Sequence, residues 1–146
     1  MRFELIELTD KNEIYRTYEI YKHCMFMPTE ESFFRKIDIF LNDKSVKIYA
    51  CVYENEDKGI IVISFIKQYE IEILGIAVDM SARHQGIGSY MIGKLADNYK
   101  PISLNAETDD DAVGFYRRNG FSVAKLTKIY NGETVTRYKC KLVTQQ

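Results

Sequence analysis

Leu74-Gly75-Ile76-Ala77-Val78-Asp79-Met80-Ser81-Ala82-Arg83-His84-Gln85-Gly86-Ile87-Gly88 is the stretch whose reading sets the fold. It opens as the end of an apolar run from Ile71 to Val78, suited to a strand covered on both faces. It closes on two glycines, after which Ile87, Met91 and Leu95, with Ile92 and Ala96, recur at helical spacing. A buried strand, a glycine-bearing loop and an amphipathic helix in that order predict an anion site. The first turn of a helix leaves backbone N–H groups unpaired, and the dipole adds positive charge there. Glycines let an anion approach the backbone closely, and Arg83 adds a fixed charge. Two nucleotide loops do not match. The Walker ending Gly-Lys-Ser/Thr is absent, and the third glycine of a dinucleotide fingerprint is replaced by Met91. A glycine turn that only reverses the chain fits the same residues, so the loop alone leaves both readings open.

Working outward toward the N-terminus, residues 2–8 alternate and read as a strand. Asp10 with Glu13 marks a helix start, and Ile14, Tyr18, Tyr21 and Met25 continue it until Pro28. Thr29 caps a second helix, with Glu30 and Glu31 in its first turn and Phe33, Phe34, Ile37, Phe40 and Leu41 on its apolar face. Val46 to Val52 alternates, Glu54 to Gly59 reads as a polar turn, and Ile60 to Ile66 is a continuous apolar strand.

Toward the C-terminus, Pro101 stops the glycine-led helix and Ile102 to Ala106 is a short strand. Asp109 to Arg118 reads as a helix with Gly120 just beyond it. Phe121 to Tyr130 and Glu133 to Leu142 flank Asn131-Gly132, the composition of a type I′ hairpin. The order β-α-α-β-β-β-α-β-α-β-β places the unit from residue 71 to 106 as a right-handed parallel crossover among antiparallel neighbours. The expected fold is a mixed α/β sheet with helices on both faces.

The bulk composition narrows the function classes. The 146 residues fit one domain, with no repeat or linker, and need no disulfide or metal staple. A net charge of −1 argues against a nucleic-acid binder. Cys24, Cys51 and Cys140 are odd in number and, like His23 and His84, lack ligand spacing, so neither zinc nor a disulfide framework is expected. Reduced cysteines point to the cytoplasm. The N-terminus alternates and carries acids, unlike a signal peptide, and Ile60 to Ile66 is too short to span a bilayer. Gln145 and Gln146 are the only hint of disorder.

Arg83-His84-Gln85-Gly86-Ile87-Gly88 resembles the R/Q-x-x-G-x-G/A motif of the GNAT superfamily of N-acetyltransferases. Leu74 to Val78 looks like that family's fourth strand. Ala112-Val113-Gly114-Phe115-Tyr116-Arg117-Arg118-Asn119-Gly120-Phe121 is similar to its second signature, A-x-x-F-Y-x-x-x-G-F. The element order agrees from residue 3 to residue 142. The resemblance implies a mostly antiparallel seven-stranded sheet with a central parallel pair. It implies acetyl-CoA as cosubstrate and no metal. The pyrophosphate would lie on the loop from Arg83 and His84 through Gln85, Gly86, Ile87, Gly88 and Ser89. The pantetheine arm would lie along Ile76, Ala77 and Val78, with Phe115 and Tyr116 near the thioester. Asp109 stands where the family often has an asparagine, and the resemblance makes it a further candidate for cofactor contact.

Acetyl transfer to an amine needs two proton transfers. The amine arrives as an ammonium, with a pKa of about 10, and must lose a proton; the CoA thiolate must gain one. The resemblance makes Tyr116 the candidate acid, although a tyrosine on an apolar helix face is also ordinary core. Glu72 is the candidate base, with Glu70 a near-equal rival on the same strand face. Glu70, Glu72, Glu107, Asp109 and Asp110 would attract a cationic acceptor, with Glu107 and Thr108 at the mouth of the strand splay. The segment Lys22 to Pro28, in this family, shapes the acceptor pocket, and Met25, Phe26 and Met27 either line it or pack in the core. His84 occupies a variable motif position and reads as a solvated loop residue. The expected partners are acetyl-CoA and an amine acceptor, with a homodimer through the C-terminal hairpin's edge strand as a further option. A non-catalytic acyl-CoA sensor and an unrelated domain with structural glycines are the competing readings.

Overall fold

The computed structural model of the chain describes residues 2–144, so Gln145 and Gln146 lie outside the described residues. The elements are β1 (Glu4–Glu7), α1 (Lys11–Tyr15), α2 (Tyr18–Tyr21), α3 (Glu30–Leu41), β2 (Val46–Tyr53), β3 (Glu56–Lys67), β4 (Glu70–Val78), α4 (Ile87–Tyr99), β5 (Ser103–Thr108), α5 (Val113–Arg118), β6 (Ser122–Tyr130) and β7 (Glu133–Val143). The strands form one seven-stranded sheet in the order β1-β2-β3-β4-β5-β7-β6. Only β4 and β5 run parallel; every other neighbouring pair is antiparallel.

Two cores sandwich the sheet because its central strands are apolar on both faces. Tyr49, Cys51, Ile61 and Ile63 join Ile87, Met91 and Leu95 of α4 and Val113 and Tyr116 of α5. The alternate residues Ile48, Ala50, Ile60 and Val62 join Ile14, Ile20, Tyr21, Phe33 and Ile37 of the first three helices. The continuous run in β3 thus serves two layers, as its composition predicts.

Several boundaries differ from the periodicity, each for a local reason. The helix expected from Asp10 to Met25 is broken at Thr17. The buried Thr17 hydroxyl donates to the Ile14 carbonyl at 2.6 Å, and the Thr17 amide donates to the same oxygen at 2.9 Å. That tightened turn separates α1 from α2, and a 3-10 turn at Lys22–Cys24 ends the segment before Pro28. Leu41 is 40% exposed and leaves the apolar face of α3. The polar turn is only Glu54-Asn55, both at positive φ, so β3 already begins at Glu56. The helix expected from Asp109 starts at Val113. Asp109 Oδ1 instead accepts the amides of Asp111 and Ala112, each at 3.1 Å, and shapes a turn before α5.

The terminators hold. Gly120, at φ 86°, follows α5, with Gly120 N–H to Arg117 O and Phe121 N–H to Tyr116 O, both 3.1 Å. These are the paired bonds of a Schellman motif. Asn131 and Gly132 have φ of 50° and 79°, as a type I′ turn requires.

Gly88 fixes how α4 meets α5. A Cβ there would stand 2.7 Å from Phe115 Cε1. Gly88→Ala is expected to cost about 1–3 kcal/mol through overpacking, read by chemical denaturation. Wild-type stability would show that Phe115 moves aside freely.

Candidate active site

The parallel pairing of β4 with β5 runs from Glu70 opposite Ser103 to Ile73 opposite Ala106 and then stops. Beyond it, β4 continues to Val78 bonded to β3, while β5 continues to Thr108 bonded to β7. A bulge marks the parting. Ile73 faces Ile63 and Gly75 faces Val62, leaving Leu74 without an opposite residue. One edge of β4, from Leu74 to Val78, therefore faces a gap where a strand would otherwise bond.

The loop from Arg83 to Ser89 stands at the end of this gap. Gly86 is the N-cap of α4 at φ 77°, with no side chain capping the helix. The Tyr90 amide makes the first helical bond, to Gly86 O at 2.9 Å. The amides of Ile87, Gly88 and Ser89 thus have no intrahelical acceptor. Nothing lies within 4 Å of the position a Gly86 Cβ would take, so that space is open. His84 also takes a positive φ, 65°, which bends the chain toward the helix start. Arg83, His84, Gln85, Gly86 and Ser89 are exposed; Ile87 and Gly88 are buried. Arg83 makes no ion pair among the described residues. These features suit a bound anion.

Tyr116, on α5, is 4% exposed, its ring edge-on to Phe115 and Phe121 with centroids 5.2 Å away in each case. Its hydroxyl makes no hydrogen bond among the described residues. Burial above all, with Cys140 and Cys24 nearby, makes its phenol hold the proton more tightly than an ordinary tyrosine. The ring is core, as the packing reading has it, and the hydroxyl is left unengaged.

The structure separates the two candidate bases. Glu70 accepts a hydrogen bond from the buried Ser103 hydroxyl at 3.1 Å. Glu72 makes no hydrogen bond or ion pair among the described residues, and it lines a groove beside Asn105. Asn105 Nδ2 donates to Ile71 O at 3.2 Å and to Ser103 Oγ at 3.0 Å.

Most of the expected acidic mouth is already engaged. Glu107 accepts from Lys128 Nζ at 2.6 Å and Arg137 Nε at 3.2 Å, and this pairing, Lys128 first, holds its carboxyl below the usual range. Asp110 accepts from the Tyr138 hydroxyl at 2.6 Å, and Asp109 caps the turn before α5. Thr108 is buried. Of the five carboxylates, Glu72 is the one left without a partner among the described residues.

The wall opposite β5 was not visible as such in the sequence. The Tyr21 hydroxyl fills the space that a side chain on Gly75 would need. Cys24 sits beside it, its Sγ 3.2 Å from Tyr21 O and facing the Ile76 amide. A glycine inside an apolar strand is the available signal for such a close approach. Cys24 is open to solvent, yet its sulfur is crowded, and burial pushes the thiol up to about 11. It stays protonated at neutral pH. Alkylation by iodoacetamide is expected to run about a hundredfold slower than for a free cysteine, since only the thiolate reacts; a free-cysteine rate, followed by mass spectrometry, would contradict this. Met25 packs partly against the second core, whereas Phe26 and Met27 project at 91% and 76% exposure.

Among the described residues no group of three His, Cys, Asp or Glu is placed to hold a metal, and no helix is long and apolar enough to cross a membrane.

Residues 14–121 match the acetyltransferase (GNAT) family. An uncharacterised N-acetyltransferase of Bacillus methanolicus is 31% identical over 82 residues, covering 54% of this chain and 68% of the relative. A GNAT family acetyltransferase from Elizabethkingia anophelis, solved with acetyl-CoA bound, superposes with a TM-score of 0.69 at 23% identity over 97% of each chain. A GNAT family structure from Desulfovibrio desulfuricans superposes with a TM-score of 0.79 at 16% identity, over 99% of this chain and 100% of the other.

Proposed function

This chain belongs to the acetyltransferase (GNAT) family, and we propose that it moves an acetyl group from acetyl-CoA directly to a primary amine of a small molecule or peptide in a ternary complex. The observation that carries this reading is the gap between β4 and β5 ending on the uncapped start of α4. A long molecule with a phosphate end and an amide-rich arm fits it.

In this reading the amides from Gln85 to Ser89 hold the pyrophosphate, with Arg83 supplying charge and His84 bending the loop toward it. The backbone of Ile76 and Val78, with Ala77 between them, pairs with the pantetheine arm as an added strand would. Phe115, packed on Gly88, walls the arm, and Asp109 sets the turn that positions α5. Glu72 takes the proton from the ammonium, directly or through water. Tyr116 gives its proton to the departing thiolate. We read the chain as a single domain working in the cytoplasm.

The test is thiol release. The protein is incubated with acetyl-CoA and a panel of amines, and free CoA is titrated against acetylated amine. Release that depends on the amine and matches it in amount supports the reading. Binding without release would leave an acyl-CoA sensor, and absence of binding would overturn both.

A further inference from the structure

The first three helices pack on the β2–β4 part of their sheet face, which leaves the β5-β7-β6 part of that face uncovered. The strand register sets a row of side chains across it. Glu72 lies opposite Asn105, Asn105 opposite Lys141, and Lys141 opposite Ser122. The next row holds Glu107 opposite Lys139. Together with Ile66 these residues line a groove of about 610 Å³.

The charges in this groove are not balanced within the protein. Glu107 spends both carboxylate oxygens on Lys128 and Arg137. Lys139 and Lys141 are exposed and make no ion pair among the described residues. Glu72 likewise has no partner among the described residues. Adjacent strands lie about 4.8 Å apart, so Glu72 on β4 and the lysines on β7 are two spacings, about 10 Å, from each other. Asn105 stands between them on β5. Its Nδ2 is used by Ile71 and Ser103, which leaves Oδ1 to accept a hydrogen bond from a ligand.

We propose that the acceptor is an amine that also carries a carboxylate, the amine seated at Glu72 and Asn105 Oδ1 and the carboxylate at Lys139 and Lys141. This rests on the acetyltransferase reading and deepens it. A groove with a free acid near the β4 gap and two free ammoniums beyond it matches a ligand of opposite polarity, end for end. A polyamine would set its second cation against the two lysines, where like charges repel. Pairing with Lys128 and Arg137 cancels the charge of Glu107, the acid in this groove besides Glu72 that would have favoured a polycation.

Three linear six-carbon amines decide it: aminocaproate, aminohexanol and hexamethylenediamine, each assayed with acetyl-CoA. Aminocaproate is expected to exceed the other two at least tenfold in kcat/KM. In the double variant Lys139→Ala/Lys141→Ala that preference should fall to about one, through KM for the amine. Circular dichroism checks that the fold is kept. A diamine as good as aminocaproate, or a preference that survives the double substitution, overturns the proposal. If none of the three releases CoA, the acetyl-transfer reading fails for these amines, and calorimetry of aminocaproate with CoA present reads the groove by itself. Binding that is lost in the double variant supports the groove's polarity; no binding overturns it.

Discussion

Tyr116→Phe is expected to lower turnover about a hundredfold or more while acetyl-CoA affinity and folding stability stay near wild type. The pairing of these two outcomes follows from the site. The Tyr116 ring is packed edge-on between Phe115 and Phe121, and phenylalanine keeps that packing. The hydroxyl has no hydrogen-bond partner among the described residues, so its removal orphans no buried group. Its proton is held more tightly than usual, by burial first. The phenol therefore remains an acid across the neutral and mildly alkaline range. A departing thiolate, whose conjugate thiol has a pKa of about 8.5 in water, must be desolvated beside the phenol to become basic enough to take that tightly held proton. Thiol release measured at saturating substrates, with a denaturation curve alongside, checks the prediction. Unchanged turnover would remove Tyr116 as the acid and leave it as core.

Glu72→Gln is expected to lower kcat about a hundredfold to ten-thousandfold at neutral pH, where the amine must be deprotonated before attack. The deficit should narrow as pH rises toward the amine's own pKa of about 10, because free amine is then supplied by the solvent. Glu70→Gln is the control. Glu70 is held by the Ser103 hydroxyl, and glutamine keeps an oxygen that can accept that bond, so the substitution should leave both the sheet and kcat largely in place. A larger kcat loss in Glu70→Gln than in Glu72→Gln would reverse the assignment. Both variants are read from the same pH–rate profile.

The fold was legible wherever one local rule had no competitor. Asn131-Gly132 can satisfy two positive φ values and sits between alternating runs, and the hairpin turns there. Gly120 stops α5 because its left-handed backbone completes the two closing bonds. The β4–loop–α4 unit was legible because an apolar run, two glycines and a helical period agree. Thr17 was not legible, since its helical spacing is intact and only the bond from its hydroxyl to Ile14 O breaks the helix. Asp109 looked like a helix start and is a turn residue, because its side chain reaches amides two and three residues ahead.

The site was legible in its parts and not in its charges. Loop and signature residues lie near one another in sequence and could be read directly. The acidic mouth could not, because the partners that neutralise Glu107 come from β6 and β7, 21 and 30 residues away. The same holds for Tyr21 and Cys24, which reach the β4 gap from the first helical layer at Gly75 and Ile76. Long-range pairing decides which of several similar carboxylates is left free, and spacing along the chain carries no record of it.

Binding of acetyl-CoA between the start of α4 and the free edge of β4 is tested most directly by amide NMR of the isotope-labelled protein, residue by residue. Titration with acetyl-CoA is expected to shift the amides of Ile87, Gly88 and Ser89 at the start of α4 and those of Ile76 and Val78 on the free edge of β4. The β6–β7 turn at Asn131 and Gly132 should stay in place. No shifts at saturating acetyl-CoA, or shifts that spare both the α4 start and the β4 edge, would contradict it.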